Sequence, residues 1–172
     1  MKKEGALKAP LFILYFNIKM DQTKVKNVVN EALSLNESLY LIDFVISENN
    51  KIHITVDGDN GAPLSECIRI SRSVNDNFDR EEEDFSLEVS TPDISHPLKV
   101  KRQYLKNINR ILKVKTSIED FEGTLVEVDE DKIVLNWKAR EPKPIGKGKV
   151  TVSKAATIAY KDIIEAKVKI VF

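Results

Sequence analysis

Cysteine is all but missing from this chain. One thiol, Cys67, in 172 residues excludes an internal disulfide framework and any cysteine-based zinc cluster. It fits a reducing, cytosolic setting. Histidine is nearly as scarce. His53 and His96 show no HxxxH or HExxH spacing, so a zinc site has no visible ligands. Long apolar runs are missing too. The run Leu11 to Phe16, with Ile18 beyond it, is far shorter than the roughly 20 residues that cross a bilayer. No A-x-A-like cleavage site follows it, so neither a membrane span nor a signal peptide is expected. Residues 1–19 read as an extension outside the fold or as an upstream start, because Met20 stands directly before a good helix start.

A catalytic set is also lacking. Cys67 falls on the inner face of a helix pattern, where cysteine is usually a small buried hydrophobe. "GKGK" at 146–149 matches neither a P-loop nor a dinucleotide fingerprint. Asp57 and Asp59 in "VDGDNG" alternate like calcium ligands, but the other ligand positions and the distal glutamate are absent. They read as a tight acidic turn. Glu81, Glu82, Glu83 and Asp84 read as a solvated face. No nucleophile, base and orienting group can be assembled. The expectation is a protein without catalytic residues, metal or cofactor.

What is present is periodicity. The chain is 42% hydrophobic and 31% charged, ordinary for a globular protein. In residues 21–35, Val25, Val28, Val29, Ala32 and Leu33 share one helical face, with Asp21 or Thr23 as cap. "YLIDFVI" reads as a strand and Asn49-Asn50 as a turn. "KIHITV" alternates, with Ile52, Ile54 and Val56 on one side. A second helix starts near Ser65 and aligns Cys67, Ile70, Val74 and Phe78. "FSLEVS" follows as a strand, with Phe85, Leu87 and Val89 inward. The order α-β-β-α-β predicts a sheet with two helices on one face. After residue 99 only a short helical turn, "KRQYLKNI", precedes a series of short alternating segments. Asp129-Glu130-Asp131 is one of the turns between them. This half is expected to form a five-stranded SH3-like or Sm-like β-barrel, making the whole an α+β protein. The expected division is an α/β domain over 20–98 and a barrel over 99–172.

Charge divides at the same place. Residues 1–98 carry 10 basic and 17 acidic side chains, net −7, and residues 99–172 carry 17 and 10, net +7. Such a split points to two units with different partners. Between Lys138 and Lys154 stand six basic residues (Lys138, Arg140, Lys143, Lys147, Lys149 and Lys154) and one acid, Glu141. With Pro142, Pro144, Gly146 and Gly148, "AREPKPIGKGK" reads as a long irregular loop. A mobile basic loop can track phosphates, and Trp137 beside it can offer a stacking face. Continuing the alternation of Ile133 and Leu135, Trp137 reads rather as a barrel core residue. Between the two halves lies "LEVSTPDISHPLK", 87–99. Pro92 and Pro97 each fix φ and restrict the residue before them. Pro92, Asp93, Ser95, His96 and Pro97 therefore form a stiff connector.

This stretch resembles the signature of the bacterial ribosome maturation factor RimP family, whose members typically read LEVSSPG, a variable pair, then RPL. The upstream "VDGDNGAPLSECIRISR" resembles the same family, and so does the α-β-β-α-β order followed by a small barrel. The resemblance covers roughly residues 21–172. Asp93 stands where the family has glycine and His96 where it has arginine. Aspartate tolerates a left-handed turn better than most residues, whereas losing an arginine removes a permanent charge and a bidentate donor. The resemblance implies a cytoplasmic, non-enzymatic assembly factor, a monomer without membrane attachment. It would bind the immature small ribosomal subunit through ribosomal RNA and a basic small-subunit ribosomal protein. Two alternatives stay open: a small Sm-like RNA-binding regulator working through its barrel alone, and an enzyme using Asp57, Asp59 or His96.

Overall fold

A computed structural model describes residues 20–79 and 84–170. Residues 1–19, read above as an extension, and Glu81 to Glu83, read as a solvated face, lie outside them. The first helix, α1 (Gln22–Ser34), starts at Asp21, whose Oδ1 accepts from the Thr23 and Lys24 N–H groups at 2.9 and 3.2 Å. That satisfies two donors every helix start leaves orphaned. Its apolar stripe, Val25, Val29, Ala32 and Leu33, is buried. Strands β1 (Leu39–Ile46) and β2 (Lys51–Gly58) pair antiparallel. Asn50, at φ 52°, makes the turn between them. Helix α2 (Leu64–Asn77) then crosses over to β3 (Ser86–Ser90), which pairs parallel to β2. Ile52, Ile54 and Val56 are fully buried against Cys67, Ile70 and Val74 of α2 and the stripe of α1. Both helices therefore cover the same face of a three-stranded sheet ordered β1-β2-β3.

The second half has its own apolar cluster. After α3 (Lys101–Lys106) come β4 (Ile111–Thr116), β5 (Asp120–Val128), β6 (Lys132–Pro142) and β7 (Lys149–Ala159). A 3-10 turn at Tyr160–Asp162 leads to β8 (Ile163–Val168). All five strands form one antiparallel sheet ordered β7-β6-β5-β4-β8. Leu112, Val114, Leu125, Ile133, Leu135, Ile158 and Ala166, drawn from every strand, are buried in one cluster with Tyr104 of α3.

The β6–β7 region corrects the expected long loop. The strands remain paired from Lys132↔Ala159 out to Pro142↔Lys149, leaving only residues 143–148 as the tip. Lys138 and Arg140 are strand residues on β6, and Lys149 and Lys154 on β7. Proline and glycine misdirect here for a geometric reason. The Lys143 N–H donates to the Gly148 carbonyl at 3.1 Å, so the next pair, Pro142 and Lys149, falls at a non-hydrogen-bonded position. The missing N–H of Pro142 costs the ladder nothing there. Gly146 and Gly148, at φ 88° and 115°, make the turn.

Trp137 is half-buried, with its ring edge-on to Phe121 at 6.1 Å, in keeping with the core reading. Gly123 makes room for it. A Cβ there would stand 2.9 Å from the Asn136 carbonyl oxygen and 3.3 Å from Cε3 of Trp137. Gly123→Ala should therefore destabilise the fold by about 1–2 kcal/mol and shift the emission of the sole tryptophan. Wild-type emission and stability would contradict this packing.

Candidate nucleic-acid interface

Strand β5 pairs with β6 only from Ile133 to Asn136. Beyond Asn136, β6 and β7 pair with each other alone, forming a two-stranded arm. Strand alternation gives the arm two faces. Lys138, Arg140 and Lys149 share one of them, are exposed, and have no acidic side chain across the ladder from them. Lys143 and Lys147 are exposed at the tip. Lys154 is the exception among the six expected cations. It pairs across from Trp137, on the opposite face, and its Nζ meets the Glu141 carboxylate at 2.5 Å. The only acid in the arm is thus neutralised by a cation that points away from Lys138, Arg140 and Lys149.

The linking segment is built differently from expectation. Asp93 does not use the left-handed region: among the described non-glycine residues only Asn50 and Asn109 have positive φ. Its Oδ1 instead accepts from the Ser95 N–H at 2.7 Å and the Ser95 hydroxyl at 2.6 Å. The His96 N–H closes a turn onto the Asp93 carbonyl at 2.9 Å. The Ser95 hydroxyl holds the Asp93 carboxyl below the usual range. His96 is exposed, and Pro92 and Pro97 are half-buried. These three residues line a cleft of about 350 Å³ with Ile42, Asp43, Thr55 and Lys99.

Beside this segment the two halves meet through charge. The N-terminal end of α3 is held by Gln103, whose buried side-chain oxygen accepts from the Lys99 and Val100 N–H groups at 2.7 and 3.2 Å. Three cations in and next to α3 then engage acids of the first half. Lys99 pairs with Asp43. Arg102 grips Asp59 through both Nε and Nη2, at 3.0 and 2.5 Å. Its Nη2 also donates to the carbonyls of Glu37 and Ser38, at 2.9 and 3.2 Å. The guanidinium carbon lies 4.5 Å from the centre of the Tyr40 ring, a cation–π contact. Lys106 meets the buried Asp57 at 2.6 Å, and the Tyr40 hydroxyl reaches the other Asp57 oxygen at 3.4 Å. Hydrogen bonds from Lys99 and Arg102 hold the Asp43 and Asp59 carboxyls below their ordinary range. Burial, then the Asp57 charge, pushes the Tyr40 phenol well above its own. Part of the charge asymmetry is therefore spent inside the molecule.

Comparison with known proteins reaches the same region. A sequence profile of the RimP N-terminal domain matches residues 25–95. The ribosome maturation factor RimP of Christiangramia forsetii is 51% identical over 153 residues, 89% of this chain and the whole of that protein. RimP of Flavobacterium psychrophilum is 52% identical over 149 residues, 87% of this chain and 97% of that protein. RimP of Porphyromonas gingivalis is 32% identical over 149 residues, covering 86% and 97%. The chain belongs to the RimP family.

The matched RimP domain takes in α1 from Val25 onward, β1, β2, α2, β3 and the Asp93–Ser95 turn, and ends before α3. The long alignments to whole RimP proteins must extend beyond it into the second sheet. The seam between the halves escaped sequence reasoning. Asp57 and Asp59 stood out as an acidic turn and as the carboxylates of an enzyme alternative, while their partners lie more than 40 residues later. Arg102 and Lys106, four apart, were a legible signal of one cationic helical face, with Lys99 just before the helix. Nothing local said what that face would meet. Cys67 is buried as expected, and burial raises its thiol pKa. His53 lies on the outer side of β2 as expected, exposed and 3.2 Å from Glu88.

Proposed function

We propose that this protein is a non-catalytic maturation factor of the small ribosomal subunit, acting in the cytoplasm as a monomer. In this reading it has two domains, residues 20–98 and 99–172. The five-stranded sheet curls as an SH3-like or Sm-like barrel, which fits a core drawn from all five strands. No helix among the described residues is long and apolar enough to cross a membrane. The β6–β7 arm docks on ribosomal RNA of the immature subunit. Lys138, Arg140, Lys143, Lys147 and Lys149 bind phosphates, and Lys154 stays with Glu141. The acidic first half, or the cleft beside Pro92, His96 and Pro97, receives a basic small-subunit ribosomal protein. Opposite charges would speed that encounter and reject wrong partners.

The observation that carries this reading is the arm's cationic face, left without acidic neighbours when the cations of the seam are consumed internally. Reversing three phosphate-binding charges should lower affinity by about tenfold or more near physiological salt and flatten the salt dependence by roughly 2–3 units of log–log slope. Co-sedimentation of the Lys143→Glu, Lys147→Glu, Lys149→Glu triple variant with immature small subunits, over a salt series, measures both. An unchanged slope would remove the arm from the RNA contact. Tagged protein that recovers no immature subunits from its own cells would count against the assembly role.

A further inference from the structure

The chemistry of the arm's free face says more about the RNA, on the reading that the arm is the RNA contact. Around the exposed cations Lys138, Arg140 and Lys149, that face carries the hydroxyls of Thr151 and Ser153 and the amide of Asn136. Among the described residues no aromatic side chain belongs to it. Trp137 points to the opposite side, edge-on to Phe121 and over Gly123. Single-stranded RNA is held largely by bases stacked on exposed rings. A-form duplex RNA is held through phosphates and 2′-hydroxyls, by cations and by polar side chains of this kind. The cations are also spread out. Lys138 and Lys149 are four ladder positions apart, about 13 Å along a ribbon, a span that addresses several phosphates and not one.

We propose that the arm's ligand is double-helical RNA, gripped across phosphates and 2′-hydroxyls, and not a single strand with splayed bases. Thr151, Ser153 and Asn136 select RNA over DNA by meeting the 2′-hydroxyl. Lys138, Arg140 and Lys149 provide the sequence-independent attraction.

The test uses the full chain in fluorescence anisotropy with three labelled probes. These are an RNA duplex of about 16 base pairs, one of its strands with self-pairing removed, and the DNA duplex of the same sequence. The RNA duplex should bind about tenfold more tightly than the strand, because no base finds a stacking partner. The DNA duplex should fall between them. Thr151→Ala with Ser153→Ala should narrow the gap between RNA and DNA duplexes while leaving the salt slope in place. Trp137, the sole tryptophan, should keep its emission when RNA binds. Equal or tighter binding of the single strand, or quenching of Trp137 on binding, would overturn duplex selection while leaving RNA contact standing. Failure of all three probes to bind would overturn the arm as an RNA contact altogether.

Discussion

Lys106→Met should destabilise the folded chain by about 3 kcal/mol, the scale expected when one partner of a buried ion pair is removed. Asp57 is 6% exposed, and its Oδ1 lies 2.6 Å from the Lys106 Nζ. Methionine keeps the side-chain volume but leaves a buried carboxylate with one neutral side-chain donor, the Tyr40 hydroxyl at 3.4 Å, and the adjacent Gly58 N–H at 2.8 Å. Neither carries charge. Asp57→Asn alone should cost less, because Lys106 is more exposed and its flexible stem can turn to water. Combining the two changes should recover at least half of the Lys106→Met loss, since no buried charge then lacks a partner. Urea denaturation of the four proteins measures the cycle. Additive losses would show that Lys106 and Asp57 stabilise independently and that the seam is not a coupled pair.

The elements of the first half were legible because its strands and helices each have one buried face. Ile52, Ile54 and Val56 alternate at period two, and Cys67, Ile70 and Val74 repeat at helical spacing, so each pattern names its own face. The order of the three strands is a different matter. It depends on α2 carrying the chain across to pair β3 parallel with β2, which no local period encodes. In the second half the turn at Asp129 to Asp131 was plain. The β6–β7 arm was not, because composition overrode pattern. Lys138, Ala139, Arg140 and Glu141 do alternate against Val150 to Ser153, but the proline and glycine content spoke for a loop. Pro142 could sit in the ladder only because its pair has no hydrogen bond to lose, a register fact invisible before the partner strand is known.

The candidate site was legible in its charges and hidden in their direction. The excess of cations between 138 and 154 was evident. That Lys154 would face Glu141 while Lys138, Arg140 and Lys149 shared the free side follows only from strand parity, once residues 138–154 are known to be strand. The same holds for the signature stretch. Asp93 looked like a residue tolerated at a left-handed position, whereas its carboxylate organises the turn through Ser95. The net charges of the two halves pointed outward, to separate partners. In the fold, Asp43, Asp57 and Asp59 point at Lys99, Arg102 and Lys106, and the asymmetry first serves to hold one half against the other.

Replacing Arg102 with lysine should release the relative orientation of the halves and make it depend on salt. Lysine keeps the charge but not the planar fork. It cannot hold Asp59 through two nitrogens, reach the carbonyls of Glu37 and Ser38 together, and cover the Tyr40 ring, all of which Arg102 does. Removing each charge-assisted hydrogen bond should move the closed-to-open ratio by about tenfold. Of the pairs that remain, the buried Lys106–Asp57 pair resists screening but is a single contact at the C-terminal end of α3 and cannot by itself fix an angle. Lys99 and Asp43 are both substantially exposed, and at 1 M salt, where the Debye length is about 3 Å, such a pair is largely screened. Wild type should keep its orientation in high salt, because the Arg102 bonds to carbonyls and its stacking on Tyr40 do not rest on ion pairing alone. The variant should lose it. Acid acts by another route. The Asp43 and Asp59 carboxyls are held below their unfolded values. Their contribution is thus complete above the ordinary carboxylate pKa of about 3.9 and is lost as pH falls through the depressed values. Orientation in wild type should therefore be constant from about pH 5 upward and loosen only in stronger acid. Residual dipolar couplings report this directly. One alignment tensor should fit both halves of wild type in low and high salt, and the Arg102→Lys protein should need two in high salt. A single tensor for the variant under both conditions would show that the proline-bounded segment or the buried Lys106–Asp57 pair, and not the Arg102 clamp, sets the angle between the halves.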